Sequence, residues 1–409
     1  MSTAIDEVGG REAVAEIATE AAALAAVDEF ADSLHDSVIE RDRSGTLPAA
    51  ELARFDASGL LALTVPERDG GPGLPVTVLT EVIRRIAVVD PAVAQAPQGH
   101  YLMVDVVAVW GSDRQRARFF GDVLAGRRLG NALAERGGTH AQDLKTRLSR
   151  GEHGLRLDGR KYYCTGALTS SWLAVSALDP DERVVLAFVP READGVELDH
   201  DWNVMGQRGT VSGGARFDGV LVEPENVLDY QHAFEVPQQL GARAQLVHAA
   251  IQVGIAGGAL RDARWFVTER ARPFFEAVRD GWGESASADP HTVLRFGRLA
   301  TRLRATETLL ADAAAVQRSV GREPADAAAA ARGSVAVAQA KAFASESAIE
   351  IASELFSMSG ASAADEKHDL SRHWRNARTH ASHDPVDWKY HHTGNWLLGG
   401  VLPPNHGQL

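Results

Sequence analysis

The chain has 409 residues, 45% of them hydrophobic and 24% charged, ordinary globular values that exclude a largely disordered protein and suit two or three domains. Acidic residues outnumber basic ones 55 to 42, for a net charge of −13, which argues against a general binder of nucleic acid or anionic membranes. No apolar run approaches the roughly 18 residues of a membrane span. The acidic first stretch lacks the basic and apolar regions of a signal peptide. The single cysteine, Cys164, permits neither an internal disulfide nor a cysteine-based zinc site. A soluble, cytoplasmic protein is expected.

Residues 1–40 carry ten acidic side chains and one arginine, so most of the charge imbalance sits here, as a docking arm or as a solvated helix face. The first 125 residues read as helices. Val14, Ile17, Ala21, Leu24 and Val27 recur at helical spacing, as do Val38, Leu52, Phe55 and Leu60. PERDGGPGLP (66–75) is a turn-rich loop. Val78–Val89 is helical up to Asp90-Pro91, and Gln98–Trp110 is a further apolar helix.

From about Leu129 short β-like runs follow: LGNALAE, GLRLDG, RKYYCTG, SWLAVSAL, RVVLAFVP and GARFDGVLV. They predict about 100 residues of antiparallel sheet. Helical period returns at Ala242, with stripes through Leu246–Leu260, Leu299–Ala313 and Val335–Leu355 whose small residues allow the close packing of a four-helix bundle. The domains expected are residues 1–128 helical, 129–235 β and 236–409 bundle with a tail. This order lacks βαβ alternation. GIAGGA (254–259) lies inside a helical stripe with no preceding strand, so it does not read as a dinucleotide fingerprint.

Several segments resemble the acyl-CoA dehydrogenase fold family. VPERDGGPG (65–73), NALAE (131–135), GRKYYCTGA (159–167) and DWNVMGQRGTVSGGARFDGVLVEPENVL (201–228) match its motifs in order and spacing. The resemblance implies a mainly α protein with a β middle domain: an N-terminal helical domain, a small antiparallel β domain and a C-terminal four-helix bundle. DLSRHWRNARTHASHDPVDWKYHHTGNWLLGGVLPP (369–404) and ERARPFF (269–275) are similar to the flavin-dependent monooxygenase branch of that fold. That branch includes dibenzothiophene monooxygenase and the sulfur-acquisition oxidoreductases.

The dehydrogenases of this fold remove an α-proton with a glutamate, which must reach the substrate carbon. Of the two regions that carry it, the late loop here reads SHDP, with His383 in the glutamate's place. The bundle helix near Val253–Arg264 offers only Asp262. In the oxygenase branch reduced flavin and O₂ form a C4a-hydroperoxide, and a group titrating near neutrality beside it exchanges its proton. Seven of the fifteen histidines fall in residues 368–406. His383 and His380, three apart, are the leading catalytic candidates, with Asn131 and His100 beside them. Asp384 either orients a neighbouring imidazole or caps a helix. His391 and His392 read as packing or surface residues. A zinc or iron site is the competing reading of the cluster, but HExxH and carboxylate-triad spacings are lacking.

The same resemblance places Thr165 at the flavin edge, Tyr163 beside it and Trp202 in the pocket wall. Each is also an ordinary strand or core residue. Arg270 and Arg272 are phosphate clamps or surface ion pairs. Arg372, Arg375, Asn376 and Arg378 are phosphate or subunit contacts, or solvated helix residues. Cys164, pointing away from Thr165 on a strand, is core. The implied function is a two-component flavin-dependent monooxygenase that oxygenates a sulfur or nitrogen centre of a small substrate with reduced FMN and O₂. A separate NAD(P)H:flavin reductase would supply the flavin, and FAD would replace FMN in a dehydrogenase. The rival functions are an FAD-dependent acyl-CoA dehydrogenase and a non-catalytic scaffold. The Ala- and Gly-rich helices predict a homotetramer, with the Pro403-Pro404 tail reaching across a neighbour.

Overall fold

In a computed structural model residues 13–138, 143–152 and 154–407 are described; the start of the acidic segment, residues 1–12, lies outside them. Seven helices come first: α1 Glu20–Asp32, α2 Val38–Ser44, α3 Ala49–Ala57, α4 Val76–Val89, α5 Pro91–Gln95, α6 Gln98–Trp110 and α7 Asp113–Leu124. Val14 and Ile17 precede α1 instead of lying in it. The Thr19 hydroxyl caps α1 by accepting from Ala22 N–H at 3.2 Å, and Ala15 N–H donates to Ala57 O at the end of α3. Asp90 ends α4 and starts α5. Its carboxylate accepts from Ala92 N–H and Val93 N–H, both at 3.1 Å, with Pro91 in the first turn.

The strands are β1 Leu129–Ala132, β2 Arg147–Gly151, β3 Gly154–Lys161, β4 Trp172–Leu178, β5 Val184–Pro190, β6 Val196–Leu198, β7 Ala215–Val222 and β8 Val227–Asp229. They form one sheet in the order β6-β7-β3-β2-β4-β5-β8, with β1 on β4. The expected antiparallel sheet needs one correction: β1 and β2 both run parallel to β4. A second correction concerns RKYYCTG. β3 stops at Lys161, and Tyr163 takes the left-handed conformation (φ +57°), so Cys164 and Thr165 lie in a turn. Cys164 is buried in the core by that turn and not by strand alternation.

The remaining helices are α8 His232–Glu235, α9 Leu240–Glu269, α10 Phe275–Arg279, α11 Pro290–Val320, α12 Ala327–Ser359, α13 Ser371–Ala381 and α14 Val386–Gly399. Asp289 and Asp326 cap the two long helices α11 and α12. α12 packs on α9, α11, α13 and α14, and α9 also packs on α4. The glycines of GIAGGA serve that last crossing: a Cβ at Gly254 would stand 2.4 Å from Ala87 Cβ, and one at Gly258 2.4 Å from Val88 O.

One core joins α4, α6, α9 and α12 to Trp172, Ala174, Leu186 and Phe188 on one sheet face. Leu173, Val175, Ala187 and Val189, the alternate residues, fill a second core on the other face. Among the described residues no helix is long and apolar enough to cross a membrane.

Candidate active site

Four polar residues, Arg243, Gln245, His248 and Gln252, interrupt the buried length of α9. His248 Nδ1 lies 3.1 Å from His380 Nε2 on α13, and the His383 ring stacks on His248 with centroids 4.3 Å apart. His383 Nδ1 in turn meets Asp384 Oδ1 at 3.0 Å. Asp384 is buried and also holds Lys341 of α12, and Lys389 of α14 at 2.6 Å; Lys341 donates as well to Gln245 Oε1. Four elements of the bundle thus converge on three imidazoles and one carboxylate.

Burial drives the pKa values of His248 and His380 well below the ordinary imidazole value. His383 is also lowered, by desolvation first and by Lys341, against the opposing pull of Asp384. Burial likewise lowers Lys341, to about 8, opposed by Asp384. The two lysines and His383 hold Asp384 far below the carboxylate range although burial opposes them. At neutral pH the three imidazoles are neutral. Because Asp384 is ionised and only accepts, His383 carries its proton on Nδ1 and presents a lone pair at Nε2. Of the two directions of proton exchange open to this position, His383 at rest is set to accept.

The facing wall comes from α5, α6, β1 and the two loops after β3 and β6. Gly166 is held against Ala96 O, and Gly99 against the Asn131 side chain. Thr210 donates to Gln207 O at 2.8 Å, so Ser212 must donate to Thr210 at 2.9 Å and Thr165 to Ser212 at 2.6 Å. This ordered chain leaves Thr165 Oγ1 with lone pairs to offer a ligand N–H. Trp202 Nε1 also donates to Gln207 O, at 2.9 Å, and its ring meets Tyr163 edge-on at 6.2 Å. α13 closes the ring of elements: Asn376 Oδ1 accepts from Gln207 N–H at 2.5 Å, and Gln252 donates to Ala377 O at 3.2 Å.

Around this ring several buried polar atoms have no partner: Gln95 Oε1, Asn131 Oδ1, both Gln207 amide atoms, Gln252 Oε1 and His380 Nδ1. Buried polar groups are nearly always satisfied, so these open atoms are ones a bound ligand could pair. An isoalloxazine fits the set, since its N1, O2, O4 and N5 accept, its N3–H donates, and reduction adds an N5–H that suits the Thr165 lone pairs.

Of the residues singled out from sequence, His380 and His383 belong to the imidazole cluster, Thr165 and Trp202 to the wall that ends on Gln207 O, Asn131 packs against Gly99, and Tyr163 is exposed. His100 does not serve as a catalyst: Leu129 N–H donates to its Nδ1 at 3.2 Å and its Nε2–H to Leu61 O at 2.9 Å. Both nitrogens are spent, and burial lowers its pKa to about 4. Arg375 is paired with Asp42 and Asp369 and donates to Met205 O. It braces α13 against the loop before Gln207 instead of facing a phosphate. Arg372 is likewise bound to Asp262 and Asp369 O. Arg378 is exposed on the outer face of α13.

Arg270 and Arg272 are exposed at the far end of α9, with Arg270 over the Trp265 ring. From His248 to Arg270 is ~33 Å of helix, beyond the length of one flavin mononucleotide, so they do not clamp a phosphate in the site of their own chain. His391 is exposed and His392 half-buried, and both pack around Trp388. Among the described residues no group of three or more His, Cys, Asp or Glu is arranged to hold a metal ion; the facing nitrogens of His248 and His380 are turned on each other. The end of the tail makes bonds within its own chain. Asn405 bonds to Ala233 O and Val236 O, and Gly407 O accepts from Gln245, so residues 405–407 lie on their own chain.

Sequence reading missed His248, Lys341, Lys389, Gln207 and Gln252. The signal for His248 and Gln252 was present as polar residues spaced by four on the inward face of an apolar helix. Lys341 stands alone in an alanine-rich stripe in the same way. Gln207 leaves no pattern.

Family models for the N-terminal, middle and C-terminal domains of acyl-CoA dehydrogenase match residues 18–127, 132–220 and 246–388. The chain belongs to the acyl-CoA dehydrogenase family. Within it, the chain stands with the flavin-dependent monooxygenases. It is 32% identical to the probable FMNH2-dependent monooxygenase SfnC of Pseudomonas putida, across 93% of this chain and 96% of that one. The FMN-bound structure of TdsC, a dibenzothiophene monooxygenase from Paenibacillus sp. A11-2, superposes with TM-score 0.89 at 30% identity, over 95% of this chain and all of that one. Methanesulfinate monooxygenase MsuC of Pseudomonas fluorescens superposes with TM-score 0.87 at 30% identity, covering 96% and 100%.

Proposed function

We propose that this protein takes reduced FMN from a separate NAD(P)H:flavin reductase and uses O₂ to oxygenate the sulfur centre of a small organic substrate. The observation that carries the reading is the absence of a usable carboxylate base. Asp262, in the helix where dehydrogenases can place theirs, is held ionised by Arg372 and Arg261 and bonded to His373 at 2.8 Å. Asp384, in the other place, is clasped by two lysines. Neutral imidazoles occupy the site instead.

Bound reduced flavin supplies the chemistry that activates O₂; the chain's own residues hold and protect it. Thr165 Oγ1, Asn131 and the His380 Nδ1 position would take the ring's polar edge. His383 Nε2 accepts a proton, and Asp384 holds that imidazole in its Nδ1–H tautomer while stabilising the imidazolium that results. The stacked His248 and the Trp202 wall limit water near the reacting atoms.

We assign the chain a homotetramer as well. An open groove on α11 and α12 is lined by Val293, Leu294, Gly297, Thr301 and Phe343. Leu294, Leu397 and Leu398 stand 63%, 67% and 93% exposed, large apolar areas that suit contact with further copies. In such an assembly Arg270 and Arg272 would reach a flavin only from a neighbouring copy.

The test is turnover with a flavin reductase, NADH, FMN and O₂, using methanesulfinate and dibenzothiophene as probes. Oxygenated product that requires the reductase supports the reading. Bleaching of bound flavin by an acyl-CoA under anaerobic conditions would replace it with dehydrogenation.

A further inference from the structure

Gln207 is held in a costly conformation by bonds that all go to its main chain. It is a non-glycine residue at φ +53°, and Val211, four residues on, is β-branched at φ +41°; such backbone persists only where the surroundings over-determine it. Here Asn376 Oδ1 takes its N–H, while Thr210 and Trp202 both donate to its C=O. Asn376 is itself fixed by donating to Asp42 at 3.3 Å. Yet the side chain that this framework positions, 2% exposed, has neither Oε1 nor Nε2 paired. A buried carboxamide with both ends open loses the free energy of two hydrogen bonds unless a ligand supplies them.

We propose that Gln207 binds the pyrimidine edge of the flavin, with Oε1 accepting from the ring N3–H and Nε2 donating to an adjacent ring carbonyl. This rests on the flavin reading above and deepens it. A carboxamide offers one acceptor and one donor in a plane, and a cyclic imide edge offers the complementary pair. A sulfinate or sulfoxide oxygen would satisfy only the donor and leave Oε1 unpaired. Continuity supports the same assignment. The hydroxyl chain Thr165–Ser212–Thr210 ends on Gln207 O, so the residue expected at the N5 edge and Gln207 stand along one wall. Gln207 is thus a cofactor-binding and positioning residue, since donation to a ring carbonyl favours the anionic reduced flavin.

The test compares binding of FMN with that of 3-methyl-FMN, which lacks the N3–H, by fluorescence titration of the full chain. Wild type should bind FMN about tenfold more tightly than its methylated analogue, the scale of one lost buried hydrogen bond. Gln207→Met, with circular dichroism unchanged, should bind both flavins alike and FMN about tenfold more weakly than wild type. Gln207→Glu keeps an acceptor at the same reach and should retain the preference for FMN. Wild-type discrimination in the Met variant overturns the assignment while leaving the flavin reading intact. A Glu variant that binds both flavins alike overturns it even where the Met variant does not fold. If wild type binds neither flavin, oxidised or reduced, the flavin reading itself fails and the assignment with it.

Discussion

His383 is the residue on which the chemistry turns. Its Nδ1 is committed to Asp384 at 3.0 Å, which leaves Nε2 as the proton acceptor. His383→Ala should keep the fold and FMN binding, because Lys341 and Lys389 still hold Asp384 once that imidazole is gone. Product formation should fall by about 10²-fold, with hydrogen peroxide replacing product as the fate of O₂; wild-type rate and coupling would make the residue structural. A base acts only when unprotonated, and the His383 pKa is lowered from 6.5. Wild-type activity should therefore be level above pH 6.5 and decline on the acid side, a limb that His383→Ala abolishes. Asp384→Asn leaves Lys341 and Lys389 facing each other in a buried site. Removing one partner of such a cluster costs about 3–5 kcal/mol, to be read from the urea unfolding midpoint.

At the scale of elements, α9 sets the geometry, because His248 and Gln252 reach the site only while the helix lies close on α4. Gly258→Ala puts a Cβ 2.4 Å from Val88 O. That overpacking should destabilise the protein by about 1–3 kcal/mol, and an unchanged denaturation midpoint would show that the crossing relaxes freely. The long helices were legible from their periodic stripes, as were β4 and β5 from continuous apolar runs bounded by turns. β2 was not legible, because only Leu148 of its five residues is buried; nor was the turn at Tyr163, whose chain reverses at a residue with no glycine signal. The site was half legible. His380 and His383 stood in a histidine-rich run, whereas Lys341, Gln252 and Gln207 come together only through packing of distant segments. His100 misled because a buried histidine bonded at both nitrogens looks, in sequence, like any other.

Across the whole molecule the buried neutral imidazoles link stability to pH. The His100 pKa falls to about 4 in the fold against ~6.5 in the unfolded chain. The unfolded state thus gains its proton first as pH falls. Stability is full above pH ~6.5 and is lost toward pH 4, by roughly 2 kcal/mol at pH 5 for His100. His248 and His380 act in the same direction. Tm should be clearly lower at pH 5 than at pH 7, and a flat profile would contradict the neutral cluster. Oligomerisation belongs to this scale too. Leu398→Asp, on a side chain 93% exposed, should shift the mass by light scattering below that of a tetramer without unfolding the subunit.

The claim that this fold carries out oxygenation is tested most directly by the origin of the oxygen atom. The reductase-coupled reaction with methanesulfinate and dibenzothiophene is run under ¹⁸O₂ in ordinary water, and again with the label in the water. The account predicts one labelled atom from ¹⁸O₂ for each oxygenation, hence one in a sulfonate or sulfoxide and two in a sulfone, and none from water. Label arriving from water, or no incorporation while butyryl-CoA bleaches the bound flavin without oxygen, would contradict it.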